Sequence, residues 1–171
     1  MTARSDEELA PQRYRASAGR YFEEFTLGDV YEHRPGRTVS QNDNAWFTLL
    51  TMNTHPLHFD EEYAKTTEFG RPLICSPLTL AILVGMSVSD TSQRAIANLG
   101  WKDIALTHPV FPGDTLYAES EVIAKRESKS RPGAGIVSVR TIGKNQDDVQ
   151  VCVFERSMLI PKREANKNAT D

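Results

Sequence analysis

Cysteine is nearly absent from this sequence, and so is any strong charge of one sign. The two cysteines, Cys75 and Cys152, sit in apolar surroundings and show no CxxC spacing. That argues against a disulfide framework and against a zinc site, and it fits a reducing compartment. A formal net charge of −3 leaves no electrostatic footprint for nucleic acid or an anionic membrane surface. The longest apolar run is too short to span a bilayer. The opening MTARSDEELAPQRYR lacks a signal-peptide core, so cytoplasmic residence is the expectation. Repeats and low-complexity segments are also missing. What remains, 171 residues of which 39% are hydrophobic and 25% charged, describes one globular domain with a single sizeable core.

The pattern along the chain divides into helical and extended parts. Residues 1–20 are charged and aperiodic and read as a mobile arm; residues 164–171 read as a disordered tail, leaving 21–163 as the domain. A strand is predicted over Val30–Thr38. Ser40 is placed to cap a helix over Asn42–Met52, whose Ala45, Trp46, Leu49 and Leu50 share a face. A short helix is predicted over Asp60–Lys65. Ser76-Pro77 then reads as an N-cap followed by the first residue of a buried apolar helix, Leu78–Val88. Beyond it the period changes to two. Strands are predicted over Trp101–Val110, Thr115–Glu127, Ile136–Lys144 and Val149–Ile160, with turns at Phe111–Asp114 and Asn145–Asp148. Helices segregated from a run of antiparallel strands argue an α+β fold.

The stretch between the two helix predictions holds the chemistry. From Leu50 to Pro77 it reads LTMNTHPLHFDEEYAKTTEFGRPLICSP. Leu50-Thr51, Asn53, Pro56, His58, Asp60 and then Phe69-Gly70-Arg71-Pro72 resemble the motif of the MaoC-like (R)-specific enoyl-CoA hydratases. That motif runs Leu-(Ser/Thr)-Gly-Asp-x-Asn-Pro-x-His-x-Asp and continues Phe-x-x-Pro-(Ile/Val)-x-His-Gly. Pro109-Val110-Phe111-Pro112-Gly113-Asp114 is similar to a second family element. Ser128–Pro132, Asn145-Gln146 and Val151 look like the mesaconyl-CoA hydratase subgroup. The resemblance covers roughly Phe22 to Arg163. It implies a hotdog fold, an antiparallel sheet wrapped around one helix, and reversible hydration of a short, branched or carboxylated 2-enoyl-CoA. Two positions depart from the family: its catalytic Asp falls on Asn53, and its His-Gly pair falls on Cys75-Ser76.

An imidazole can accept a proton from water and return one to carbon near neutral pH, which makes His58 the candidate acid/base. An amide has no accessible pKa, so Asn53 can orient water but cannot ionise. Asp43 or Asp60 is then an alternative source of a carboxylate, although Asp60 also reads as a helix N-cap. By position the family's enolate-stabilising amide falls on Ser76, at the positive end of the predicted helix. Arg71, His55, Cys75, Gly113 and Arg131 are candidates for contacts to substrate or coenzyme A, Arg131 within a cluster with Arg126 and Lys129. His33 and His108 fall in predicted strands and read as structural. No metal or redox cofactor is implied, coenzyme A entering as part of the substrate. Open sheet edges and a shared cleft predict a homodimer. The alternatives are a hotdog thioesterase and a non-catalytic acyl-CoA-binding subunit.

Overall fold

The structure, a computed structural model, describes residues 19–164. The expected N-terminal arm, except Gly19 and Arg20, and the expected tail, except Glu164, lie outside the described residues. Eight main elements follow in order: β1 (Val30–Thr38), α1 (Gln41–Thr51), α2 (Glu61–Lys65), α3 (Ser76–Met86), β2 (Ala97–Leu106), β3 (Thr115–Glu127), β4 (Ala134–Lys144) and β5 (Gln150–Pro161). The strands form one antiparallel sheet in the order β1-β3-β4-β5-β2. Short turns join β3, β4 and β5 into a meander, so the two early strands are pushed to its outer edges. This is the α+β hotdog arrangement, with α3 laid on one face of the sheet.

Alternation selects that face. Leu116, Ala118 and Val122 of β3, Val137 and Val139 of β4, and Cys152, Phe154, Met158 and Ile160 of β5 are all buried, with exposed or half-buried residues between them. α3 covers one half of this face through Leu78, Ile82 and Leu83, and Phe22 and Phe25 cover the other half. Gly143 permits the close approach: a Cβ there would stand 2.7 Å from Leu83 Cδ2. The end of α3 is tied down by polar groups. Buried Arg156 donates from Nη2 to Ser87 Oγ at 3.0 Å and to Thr91 Oγ1 at 2.8 Å, and burial pushes its pKa down to about 10. Buried His33 joins Asp90 Oδ2 to Ser120 Oγ, both at 2.8 Å, which accounts for it structurally.

Four expectations are corrected. The apolar face of α1 points outward: Trp46 is 69% exposed, Leu49 75% and Leu50 78%, while Asn44 and Thr48 are buried. Gln41 and Asn44 turn inward because they meet carbonyls of His58 and Leu73 that need donors. Ser76 is the first residue of α3 and caps nothing; Cys75 holds the N-cap position with no side-chain cap bond. α3 is buried on one side only, Ala81 and Gly85 being exposed. β2 lies four residues earlier than predicted, because register breaks between Asn98 and Gly100 and between Lys102 and Ala105 disrupt its alternation. His108 consequently sits in the loop beyond β2, exposed. No helix among the described residues is long and apolar enough to cross a membrane.

Candidate active site

The loop that carries His58 is shaped by its own short-range hydrogen bonds. Ser40 and Asp43 form a reciprocal capping box at the start of α1, and Met52, at φ 55°, ends the helix in the left-handed conformation. Asn53 Oδ1 accepts the His55 N–H at 3.1 Å, a turn device typical of this residue type. His55 Nδ1 in turn accepts the Leu57 N–H at 3.2 Å, and Pro56 opens a single 3-10 turn that ends on His58. Asp60 then caps α2 by accepting the Tyr63 N–H at 2.9 Å. Neither alternative carboxylate is spare. Asp60 is a cap, and Asp43 is bound to Ser40 and to Arg37 at 2.5 Å. The Ser40 backbone N–H, with its hydroxyl and Arg37 adding to it, holds the Asp43 carboxyl below the usual carboxylate range.

The His58 ring lies half-buried, with Nδ1 2.8 Å from the carbonyl oxygen of Leu73. A carbonyl only accepts, so Nδ1 carries a hydrogen, and in the neutral ring the lone pair falls on Nε2. From Leu73 the chain runs straight into α3. Leu73 N–H bonds to Leu57 O at 3.2 Å, and Ile74 N–H to Val110 O at 2.8 Å. The Cys75 N–H goes to Asn44 Oδ1 at 2.9 Å. The next amide, that of Ser76, has no acceptor among the described residues, and Pro77 has no N–H to offer. Ser76 opens onto a cleft of about 250 Å³, walled by Phe69, Leu73, Thr79, Leu106, His108 and Val110.

The expected residues divide accordingly. Asn53 is brought to Cys75, the residue before Ser76, and His55 to His58, while the residues that line the Ser76 cleft include neither Asn53 nor these two histidines. Asn53 Nδ2 donates to Cys75 Sγ at 3.2 Å, and the rings of His55 and His58 are 5.8 Å apart. Cys75 is 1% exposed and belongs to the core, so it meets Asn53 and not the cleft. Arg71 stacks 3.8 Å over the Phe111 ring, beside the wall residue Phe69. Gly113, at φ 98°, sits in the adjoining turn with its N–H on Val39 O at 2.8 Å. Arg131 is not brought to the site. It lies in the turn after β3, at the end opposite Thr115, with on the order of 40 Å of strand between them. Among the described residues no group of three or more His, Cys, Asp or Glu lies where it could hold a metal ion.

Two residues at the site were not foreseen from the sequence. His108 was assigned to a strand, and its place in the cleft follows from the shifted end of β2. Asn44 is not among the residues that the sequence singles out. Its signal was the stripe Gln41, Asn44 and Thr48, spaced so that the three share one face of α1.

The profile of the mesaconyl-CoA hydratase family matches residues 8–171. The chain belongs to this family. It is 36% identical over 150 residues to a mesaconyl-CoA hydratase of Cereibacter sphaeroides, covering 88% of this chain and 43% of that protein. It is 34% identical to a β-methylmalyl-CoA dehydratase of Chloroflexus aurantiacus, covering 92% and 44%. Among solved structures it matches a Mycobacterium tuberculosis protein described as having a double hotdog fold, with a TM-score of 0.78 and 28% identity, over 84% of this chain and 44% of that one. The chain thus spans less than half the length of these relatives.

Proposed function

We propose that this member of the mesaconyl-CoA hydratase family adds water reversibly across the double bond of a short 2-enoyl-CoA, giving a 3-hydroxyacyl-CoA. One observation carries the reading. His58 spends its Nδ1–H on the Leu73 carbonyl, and three residues further along the same segment the Ser76 N–H stands free among the described residues at the start of α3. A base and an anion-binding amide are thereby fixed to one piece of backbone. Nε2 takes a proton from water as the water oxygen bonds to the β-carbon. The displaced electron pair moves onto the thioester oxygen as an enolate, which the Ser76 N–H and the positive end of α3 stabilise. The imidazolium then delivers its proton to the α-carbon. Asn53 orients the water and does not ionise. No metal or redox cofactor takes part.

The names of the two relatives support a branched, dicarboxylic acyl chain. Arg71 is the residue suited to the second carboxylate, since its guanidinium has no carboxylate partner among the described residues. A second copy of the chain completes the site. The cleft, at about 250 Å³, is smaller than usual ligand pockets of about 300–1,000 Å³ and stands open beside Leu106. Leu106 ends β2, an edge strand whose Leu99, Trp101 and Ile104 are also exposed. The Mycobacterium tuberculosis protein, described as having a double hotdog fold in one chain, supports pairing of two such units.

The test is a panel of enoyl-CoA thioesters, mesaconyl-CoA and crotonyl-CoA included, followed by loss of conjugated absorbance alongside a thiol reagent. Absorbance loss without thiol release, insensitive to a chelator, is expected, and His58→Ala lowers it by about 10²–10⁴-fold. Thiol release instead means a thioesterase; binding without turnover means a non-catalytic subunit. Sedimentation that gives a monomer at assay concentration removes the second copy.

A further inference from the structure

The side chain that fixes the geometry of this site lies outside the motif. Asn44 is fully buried in the second turn of α1, and three of its polar contacts reach other segments. Nδ2 donates to His58 O at 2.7 Å and to Leu73 O at 3.0 Å, while Oδ1 accepts the Cys75 N–H at 2.9 Å. The amide cannot be turned over, since both partners of the nitrogen are carbonyls and the partner of the oxygen is an N–H. We infer that Asn44 is the positioning residue that sets His58 and the Ser76 amide relative to each other; this rests on the hydration reading above.

Each contact has its own consequence. The carbonyl of Leu73 receives the Asn44 Nδ2–H and the His58 Nδ1–H together, so Asn44 holds in place the acceptor that decides the histidine tautomer. Its second donor grips the main chain of His58 itself, where Gln41 Nε2 adds a bond at 2.8 Å. Its oxygen occupies the Cys75 N–H, which makes Ser76 the first amide left over at the start of α3. One rigid planar group therefore spans the base, the carbonyl behind the base and the peptide before the enolate donor. Asp at this position would set a buried carboxylate against two carbonyl oxygens. Ser or Ala would leave these groups to relax independently.

The experiment uses Asn44→Ser and Asn44→Ala with Thr48→Val as the control. Thr48 is buried on the same stripe of α1, but among the described residues its hydroxyl bonds only to Ala45 O, at 2.9 Å. For the Asn44 variants kcat is expected to fall about 10–100-fold while KM stays within about threefold, as expected for a lost transition-state alignment. Thr48→Val is expected to keep kcat. The independent readout is the long-range proton–nitrogen spectrum of the imidazoles. Wild-type His58 should show a protonated Nδ1 and a lone pair on Nε2, and the Asn44 variants an averaged pair. Wild-type-like kcat and an unchanged His58 spectrum in folded Asn44 variants would overturn the inference. So would failure of both variants to fold, which would make Asn44 a stability residue. If the wild type hydrates no enoyl-CoA, the functional reading fails, and the His58 spectrum still decides the role of Asn44.

Discussion

Asn53→Asp restores the carboxylate that the MaoC-like motif carries and this chain lacks, and the local geometry allows its effect to be worked out. Asn53 makes two side-chain bonds: Oδ1 accepts the His55 N–H at 3.1 Å, and Nδ2 donates to Cys75 Sγ at 3.2 Å. An aspartate keeps the first and makes it charge-assisted, roughly doubling its strength. It loses the second as drawn, but the Cys75 thiol can turn and donate its S–H to the new oxygen. The net change is within about 1 kcal/mol, or a shift in Tm of roughly 2–4 °C for a chain of this size. The new carboxylate, ionised near neutral pH, gives the imidazolium a counter-charge and the proton a second carrier, the kind of contribution general acid–base groups make. Turnover of crotonyl-CoA, followed by conjugated-thioester absorbance, should therefore stay within about tenfold of wild type or rise. A folded variant with kcat/KM down more than about a hundredfold, some 2.7 kcal/mol in the barrier, would refute the reasoning. It would mean that the Asn53 N–H groups themselves touch the reacting atoms.

Two further outcomes follow from the same contacts. The folded Asp43 carboxyl is held below its unfolded value, first by the Ser40 backbone N–H, so its stabilisation is complete above about pH 3.9 and is lost as pH falls through the folded value. Asp43→Asn should cost about 1 kcal/mol at neutral pH, and the gap in Tm should close on acidification; a gap that stays constant with pH would disprove the linkage. Gly143→Ala places a methyl group 3.0 Å from Cγ of fully buried Leu83, so overpacking should cost about 1–3 kcal/mol and be read as a lower thermal midpoint. An unchanged midpoint would show that α3 is free to move away from the sheet.

The parts of the fold legible in the sequence are those set by neighbouring residues. β1 and β3 fall where the pattern puts them, and Ser40 and Asp60 cap the helices they precede. β2 is displaced because two register breaks, with Gly100 at φ 152° and Asp103 at φ 51°, remove the alternation that a strand reading needs. The loop of His58 was legible through its motif. The contacts of its ring were not, because Leu73 lies 15 residues further along the chain.

α1 presents the face opposite to the one its apolar stripe predicts, and the cause is the site itself. A helix with a clear apolar stripe ordinarily buries that stripe. Here the segments packed beneath the helix are a 3-10 turn and the irregular lead into α3, and they present the carbonyls of His58 and Leu73 and the N–H of Cys75. Left unpaired, each of these buried main-chain groups would carry about 1–3 kcal/mol of desolvation, a penalty of the same order as leaving a leucine exposed. The helix therefore turns Gln41 and Asn44 inward and leaves Trp46, Leu49 and Leu50 outside. A reading from periodicity weighs only the apolar side of that balance. It inverts the helix at the place where holding a histidine's backbone takes precedence over burying hydrophobic area.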